Sequence, residues 1–257
     1  MPTWPLIVES VMDSTKLNQF FDLFQEGLRT GVDGGRNTFH LQHLLQADRR
    51  DIVEATCRLF ADSQGDEIAR QLVGGGDYAM LLSACVYRAH EPHRRDTHLG
   101  LHFDANVFGQ DALVFNFWIP FDRVGERAPG LTLVKSDVDV APLVDAWRRS
   151  RLETADDGVT RPKIRFSVEE VAAALGCPAD DMLFTPILGP GDALIFHQFV
   201  IHATQLVEQD EEPRRSFEIR ICAADKIPHA CAERAEALMI ARRTANGGRE
   251  LKFKQLA

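Results

Sequence analysis

The sequence is short of the features that mark secreted, membrane-spanning and disulfide-stabilised proteins. Its five cysteines are odd in number, scattered and free of C-x-x-C spacing, which disfavours a disulfide framework or a zinc ribbon. No run of 18 apolar residues is present, so we expect no transmembrane helix. The first residues contain neither a basic segment nor a long apolar run, so we expect no signal peptide. These absences favour a soluble, cytoplasmic protein with reduced thiols.

An excess of positive charge is also lacking. The 257 residues include 29 Lys and Arg against 38 Asp and Glu, a formal net charge of −9. This balance disfavours a nucleic-acid or membrane-surface partner. With 45% hydrophobic and 26% charged residues, the composition is that of a globular protein. We find no linker-like composition, internal repeat or low-complexity tract, so we expect a single domain over residues 1–257.

The N-terminal part, residues 1–77, is predicted to be mostly helical. The segments "DSTKLNQFFDLFQEGL", "DRRDIVEATCRLFADS" and "GDEIARQLVGGG" repeat apolar residues at helical spacing after capping signals. The glycine run 74–76 is expected to end the third helix. It lacks the G-K-[ST] continuation of a phosphate-binding loop.

Strand-like texture begins at Tyr78 and is predicted to build a core over residues 78–224. Segments such as "ALVFNFWIPF", "DALIFHQFVIHATQLV" and "SFEIRICA" are rich in β-branched, aromatic and aliphatic residues. A polar, helix-like insertion covers about 141–176, and a C-terminal helix is predicted within 225–257. Many short strands favour an antiparallel sandwich or barrel, with the N-terminal helices on one sheet's outer face.

His102 and Asp104 lie two residues apart on a predicted strand, so their side chains share a face. His202, after a second apolar strand, is the candidate third ligand. Two imidazoles and one carboxylate on one side of a metal match the facial triad of non-haem Fe(II) oxygenases. Each piece alone also fits a hydrogen-bonded core histidine or a half-exposed strand edge.

An arginine follows His202 by about twelve residues, in "PRRSFEIRI". An iron site that activates O2 needs an electron donor, and 2-oxoglutarate supplies two electrons by decarboxylation. Its distal carboxylate needs a buried bidentate partner, for which arginine is suited. Arg214 and Ser216 share strand parity and could both meet that carboxylate; Arg215 is the alternative in the other register.

Together these segments resemble the phytanoyl-CoA dioxygenase family of Fe(II)/2-oxoglutarate-dependent oxygenases. The matching pieces are "HFD", "ALVFNFWIPFDRV", "APGLTLVKSDV", "GDALIFHQFVIHAT" and "RRSFEIRI". The resemblance implies a mainly β fold, a double-stranded β-helix (jelly roll, cupin-like) with flanking helices. It implies His102, Asp104 and His202 as catalytic iron ligands, with Arg214 and Ser216 binding the cosubstrate 2-oxoglutarate.

The implied reaction consumes O2 and 2-oxoglutarate, releases succinate and hydroxylates an aliphatic C–H of a small molecule. Desaturation, epoxidation and cyclisation use the same chemistry and remain open, as does the oligomeric state. The segment "VKSDVDV" departs from the family's Pro-Gly-Ser-His pattern, so the usual substrates are not implied. Because Asp104 is present, halogenation is disfavoured. The alternative is a cupin-like metal protein with a non-oxidative or ligand-sensing function.

The sequence pattern does not decide the functions of several further residues. Asn116 and Trp118 occupy one parity of the next strand, Phe115, Phe117 and Ile119 the other, and either set could face the pocket. His98 is expected to have a structural or substrate-contact function, since a fourth ligand would close a needed position. The basic loop 87–96 is interpreted as solvated or as a clamp for an anionic substrate. Arg220 shares parity with Arg214 and could pair with a substrate carboxylate or near Glu218.

Overall fold

The computed structural model describes residues 4–32, 38–92, 99–135, 152–154, 160–162, 165–207, 212–234 and 236–256. Within these ranges the α-helices are α1 (Ser14–Arg29), α2 (Leu41–Gln46), α3 (Arg50–Ala61), α4 (Gln64–Leu72), α5 (Ala105–Phe108), α6 (Val168–Leu175), α7 (Ala179–Met182) and α8 (His229–Glu233). The strands are β1 (Leu6–Val8), β2 (Thr38–His40), β3 (Tyr78–Leu81), β4 (Val86–His90), β5 (Val114–Pro120), β6 (Leu131–Val134), β7 (Leu152–Thr154), β8 (Thr160–Pro162), β9 (Leu183–Phe184), β10 (Ala193–His197), β11 (His202–Thr204), β12 (Arg214–Ala223), β13 (Ala237–Arg243) and β14 (Arg249–Gln255).

Two antiparallel sheets form the core of the described structure. The larger sheet runs β1-β10-β5-β12-β3-β13-β14, with β4 paired to both β12 and β2. The smaller sheet runs β11-β6-β9, and β7 pairs with β8 in a separate two-stranded sheet. Trp118 and Phe196 of the large sheet pack in one buried cluster with Leu131 and Leu133 of the small sheet. The two sheets therefore face each other across a shared apolar layer.

The N-terminal helices cover the outer face of the large sheet. Phe24 of α1 is fully buried, and its ring lies 4.7 Å from those of both Tyr87 and Phe217. Phe117 of β5 belongs to this same cluster, whereas Trp118 belongs to the layer between the sheets. Strand alternation therefore turns Phe115, Phe117 and Ile119 toward the helices, and Asn116 and Trp118 inward.

The three N-terminal helices form as predicted. Asp13 caps α1 by accepting a hydrogen bond from the Lys16 amide at 2.9 Å. The α4 helix ends before Gly74 and Gly75, both of which have positive φ. The structure adds two short strands to this part, β1 on β10 and β2 on β4. Three-residue edge strands carry too little periodicity to be distinguished from loop.

The prediction of a C-terminal helix within 225–257 is wrong. Within the described part of this segment, only His229–Glu233 is helical, and β13 and β14 follow. The segment "ACAERAEALMIARR" has helical spacing, but Ala237 to Ala241 are all buried. Both edges of β13 are paired, one with β3 and the other with β14. Sheet pairing and burial on both faces override local helix propensity here.

Part of the predicted insertion at 141–176 lies outside the described residues. Within the described part, the serine-capped helix is present as α6, where Ser167 and Glu170 form a reciprocal capping box. No helix in the described ranges is long and apolar enough to cross a membrane. The single-domain assignment over 1–257 stays a prediction.

We predict that Phe24→Ala lowers the free energy of unfolding by about 3–5 kcal/mol, because it empties a closed aromatic cluster. Urea denaturation measures this loss. As a control, Leu206 is 74% exposed, and Leu206→Ala should change stability by no more than about 0.5 kcal/mol. Equal effects of the two substitutions would contradict the assigned helix–sheet packing.

Candidate metal centre

His102 and His202 face each other in an isolated antiparallel bridge. The His102 amide donates to the His202 carbonyl at 3.0 Å, and the His202 amide donates back at 3.1 Å. This pairing brings the imidazole centroids to 4.2 Å. Asp104 follows two residues after His102, immediately before α5. The sequence-predicted triad is thus brought together by backbone register.

The three side chains form a group that could hold a metal ion. One ligand atom from each of His102, Asp104 and His202 lies within 4.8 Å of the others. The Nδ1 atoms of the two histidines are 2.8 Å from the Gly100 carbonyl and 3.0 Å from the Val200 carbonyl. Because a carbonyl only accepts, Nδ1 carries the proton and Nε2 keeps its lone pair for a metal. The donor set and tautomers fit a divalent metal.

The electrostatics keep His102 and Asp104 in the protonation states that metal binding requires. Burial, together with the neighbouring His202, lowers the pKa of His102 to about 4, so the imidazole is neutral near pH 7. Burial alone raises the pKa of Asp104, but the Arg220 guanidinium and His202 outweigh it and the net shift is downward. Asp104 is therefore an ionised carboxylate.

Strand β12 turns a row of polar side chains into the space between the sheets. Arg214, Ser216, Glu218 and Arg220 alternate inward, and all four are buried. Arg214 lies beside His202 in a narrow inner cavity of about 30 Å³, with its guanidinium carbon 5.9 Å from the Trp118 ring centre. The Ser216 hydroxyl makes no hydrogen bond within the described part of the chain.

Arg215, the alternative in the other register, points away from this cavity. Its backbone amide and its Nε donate to the Asp122 carboxylate at 2.8 and 2.9 Å. Its guanidinium also lies 4.6 Å from the Phe21 ring, outside the sandwich. Arg214, and not Arg215, is among the described residues that line the inner cavity together with His102 and His202.

A buried ion network surrounds Asp104. Arg220 donates from Nε and a terminal nitrogen to one Asp104 oxygen at 3.2 and 3.0 Å. Its other terminal nitrogen lies 2.7 Å from Glu218, which also accepts from Arg88 at 2.7 Å. Burial raises the pKa of Glu218, but Arg88 and Arg220 outweigh it and hold that pKa well below its ordinary range. Arg220 therefore points inward, as parity predicted, and it pairs with a triad carboxylate.

A larger outer cavity of about 640 Å³ opens on the other side of His102 and Asp104. It is bordered by residues that the sequence analysis did not select, including His40 and Gln42 near α2, Asn106 of α5, and Arg234. Asn106 follows Asp104 by two residues, which is a local signal. The others come from distant segments and carry none. His98 and residues 93–96 of the basic loop lie outside the described residues.

Comparison with known proteins was made by sequence and by structure. No family model matches the chain, and no match was found among curated proteins. AviO1 from Streptomyces viridochromogenes superposes with a TM-score of 0.57 and 15% identity, over 87% of this chain and 91% of AviO1. The non-haem α-ketoglutarate-dependent carbocyclase SnoK from nogalamycin biosynthesis gives 0.55 and 14%, over 86% and 79%.

EctD from S. alaskensis, in complex with 2-oxoglutarate and 5-hydroxyectoine, gives a TM-score of 0.53 and 14% identity, over 86% of this chain and 73% of EctD. At these identities the likeness concerns the fold. The mainly β, jelly-roll fold with an N-terminal helical layer is therefore confirmed.

Arg220→Leu is predicted to lower the free energy of unfolding by about 3–5 kcal/mol, since it leaves Asp104 and Glu218 buried without their shared cation. Chemical denaturation of the metal-free protein measures the loss. Arg243→Leu is the control, because Arg243 and its partner Glu67 are both more than half exposed. That change should cost no more than about 1 kcal/mol. A similar cost for both would contradict a stabilising buried network.

The lowered pKa of Glu218 predicts a specific pH dependence. A carboxyl whose pKa is lowered by folding stabilises the fold fully above its unfolded value, here 4.5, and less as pH falls toward the folded value. The stability difference between wild type and Glu218→Gln should thus be constant near neutral pH and shrink below about pH 4.5. Unfolding experiments from about pH 7 to about pH 3 test this. A difference that stays constant down to about pH 3 would contradict the assigned ion pairs of Glu218.

Proposed function

We propose that this protein is a non-haem Fe(II)/2-oxoglutarate-dependent dioxygenase related to the phytanoyl-CoA dioxygenase family. The observation that carries the proposal is the His102–Asp104–His202 group. Both histidine Nδ1 atoms are hydrogen-bonded to backbone carbonyls, and one ligand atom from each of the three residues lies within 4.8 Å of the others. Two imidazoles and one carboxylate leave positions open for a cosubstrate and O2. The shared fold with SnoK, AviO1 and EctD is compatible with this chemistry.

His102, Asp104 and His202 would hold the iron. Bound there, Fe(II) with 2-oxoglutarate and O2 supplies an oxidant strong enough to remove hydrogen from an unactivated carbon. The chain's own contribution is geometric and electrostatic. The carbonyls of Gly100 and Val200 fix the imidazole rings, and Arg220 fixes one oxygen of Asp104, so the other oxygen remains directed toward His102.

Arg214 and Ser216 would bind the distal carboxylate of 2-oxoglutarate. A buried guanidinium offers two parallel N–H donors in the geometry that a carboxylate accepts. The Ser216 hydroxyl, two residues along the same strand face, adds a third donor. The inner cavity of about 30 Å³ has room for about two water molecules, at about 10–15 Å³ each. Binding of 2-oxoglutarate therefore requires the side chains around Arg214 to move apart.

The outer cavity beside His102 and Asp104 would receive a small-molecule substrate. Its volume of about 640 Å³ lies within the range of small-molecule sites. The reaction we propose is hydroxylation of an aliphatic C–H, with decarboxylation of 2-oxoglutarate to succinate. Apolar walls around the reacting carbon would keep bulk water away from it.

Anaerobic reconstitution tests this function. Fe(II) followed by 2-oxoglutarate is expected to produce a weak visible charge-transfer band in the wild type. The band should be absent in His102→Ala because a metal ligand is lost. In Arg214→Leu it should require at least about tenfold more 2-oxoglutarate, since a charge-assisted bidentate contact is removed.

Arg215→Leu is the matched control, because the neighbouring arginine points to Asp122 outside the cavity. It should leave the 2-oxoglutarate dependence unchanged. Iron binding without the band would refute 2-oxoglutarate as cosubstrate and favour the cupin-like alternative. Failure of the wild type to bind Fe(II) would refute the metal centre itself.

A further inference from the structure

The outer cavity is lined by both apolar and polar side chains. Leu99, Phe103 and Phe108 are among the apolar residues, and His102 and Asp104 line the same cavity. Phe103 and Phe108 are each about 1% exposed, so they are fixed by packing. Such a surface favours a ligand with a rigid apolar body. The polar side chains decide which functional groups that ligand carries.

Nearly every charge at this cavity is already compensated. Three arginines each pair with carboxylates: Arg88 with Glu218, Arg220 with Asp104 and Glu218, and Arg234 with Glu236. Burial lowers the pKa of His40, so this imidazole is neutral near pH 7. Arg165 is exposed and makes no ion pair with any residue that the structure describes. Among the residues that the structure describes, the enclosed part of the cavity therefore has no excess charge.

Neutral polar atoms, in contrast, are left without partners. Asn106 Oδ1, Asn106 Nδ2 and Gln42 Oε1 are each buried and make no hydrogen bond within the described part of the chain. Both residues line the outer cavity. A buried polar atom without a partner destabilises the fold, so its retention needs an explanation. A ligand that supplies the missing hydrogen bonds is one, provided that the Asn106 and Gln42 side chains, whose polar atoms are closed to solvent as they stand, rotate into the cavity.

We infer that the outer cavity binds an uncharged molecule with an apolar body and hydroxyl or amide groups, which Asn106 and Gln42 recognise. The Asn106 side chain offers one donor and one acceptor, and Gln42 Oε1 accepts from a hydroxyl or amide. A carboxylate, phosphate or ammonium would enter without a free counter-charge in the enclosed part, at a large desolvation cost. The inference deepens the proposed function, and it rests on that function for taking this cavity as the substrate site.

The first test measures the stability of metal-free protein. Asn106→Leu and Gln42→Met remove the unpaired atoms at nearly constant volume, and we expect each to raise Tm by at least about 2 °C. Asn18→Leu and Gln19→Met, at exposed positions of α1, control for differences in helix propensity and should raise Tm less. A lower Tm in both cavity variants would mean that the polar groups stabilise the fold, which would overturn the inference.

The second test measures ligand class directly, with four compounds that share one apolar body. Adamantane-1-methanol, adamantane-1-carboxamide, adamantane-1-carboxylate and 1-adamantylmethylamine are compared by saturation-transfer NMR on metal-free protein. The alcohol and the amide should bind more tightly than the two ions. Their affinity should fall about three- to tenfold in Asn106→Leu, as expected for one lost hydrogen bond.

Preference for the carboxylate, abolished by Arg165→Ala, would overturn the inference in favour of an anionic substrate. Absence of binding by all four compounds would also overturn it. Because neither test uses iron, the outcome is separable from the proposed function. Binding of the neutral compounds without a charge-transfer band would refute the cofactor assignment alone, and the band without such binding would refute the substrate class alone.

Discussion

The mutual backbone hydrogen bonds between His102 and His202 are the constraint on which the site depends. The two residues are one hundred positions apart in the sequence, yet each donates its amide to the other's carbonyl. An antiparallel pair of this kind fixes both Cα positions and the direction of both side chains. Asp104 then needs only to follow His102 by two residues. A one-residue slip of the register would turn one imidazole away from the other.

The second constraint is the row of inward polar side chains on β12. Each of these charged side chains would destabilise the fold if it were buried alone. Glu218 pairs with both Arg88 and Arg220, and Arg220 also pairs with Asp104, so the opposite charges compensate one another. This network ties the Asp104 carboxylate, a candidate metal ligand, to the central strand of the large sheet. Arg214, at the other end of the same row, lines the inner cavity together with His202. Strand β12 therefore contributes one arginine that pairs with Asp104 and another that shares a cavity with His202.

Much of this arrangement could be predicted from particular residues. The H-x-D spacing, the later histidine and the arginine twelve residues beyond it identify the candidate site, because strand parity makes each prediction local. The helices α1, α3 and α4 follow from capping and periodicity. The C-terminal helix was wrongly predicted. The local spacing of "AERAEALMIARR" is helical, but pairing with β3 and β14 makes its second half a strand. His40 and Gln42 could not be predicted, because nothing local links them to the triad.

By itself, then, the sequence determined the alternation of β12, the donor types of the triad and the amphipathic helices. These features depend on neighbours within a few residues. Only the tertiary structure decided which face of β5 turns inward, which of two adjacent arginines shares the cavity with His202, and that Arg220 binds Asp104. Each of these depends on contacts between segments far apart in the chain. The N-terminal helices cover one face of the large sheet, so the polar side chains lie on its other face. Long-range packing sets that choice, and periodicity alone leaves it open.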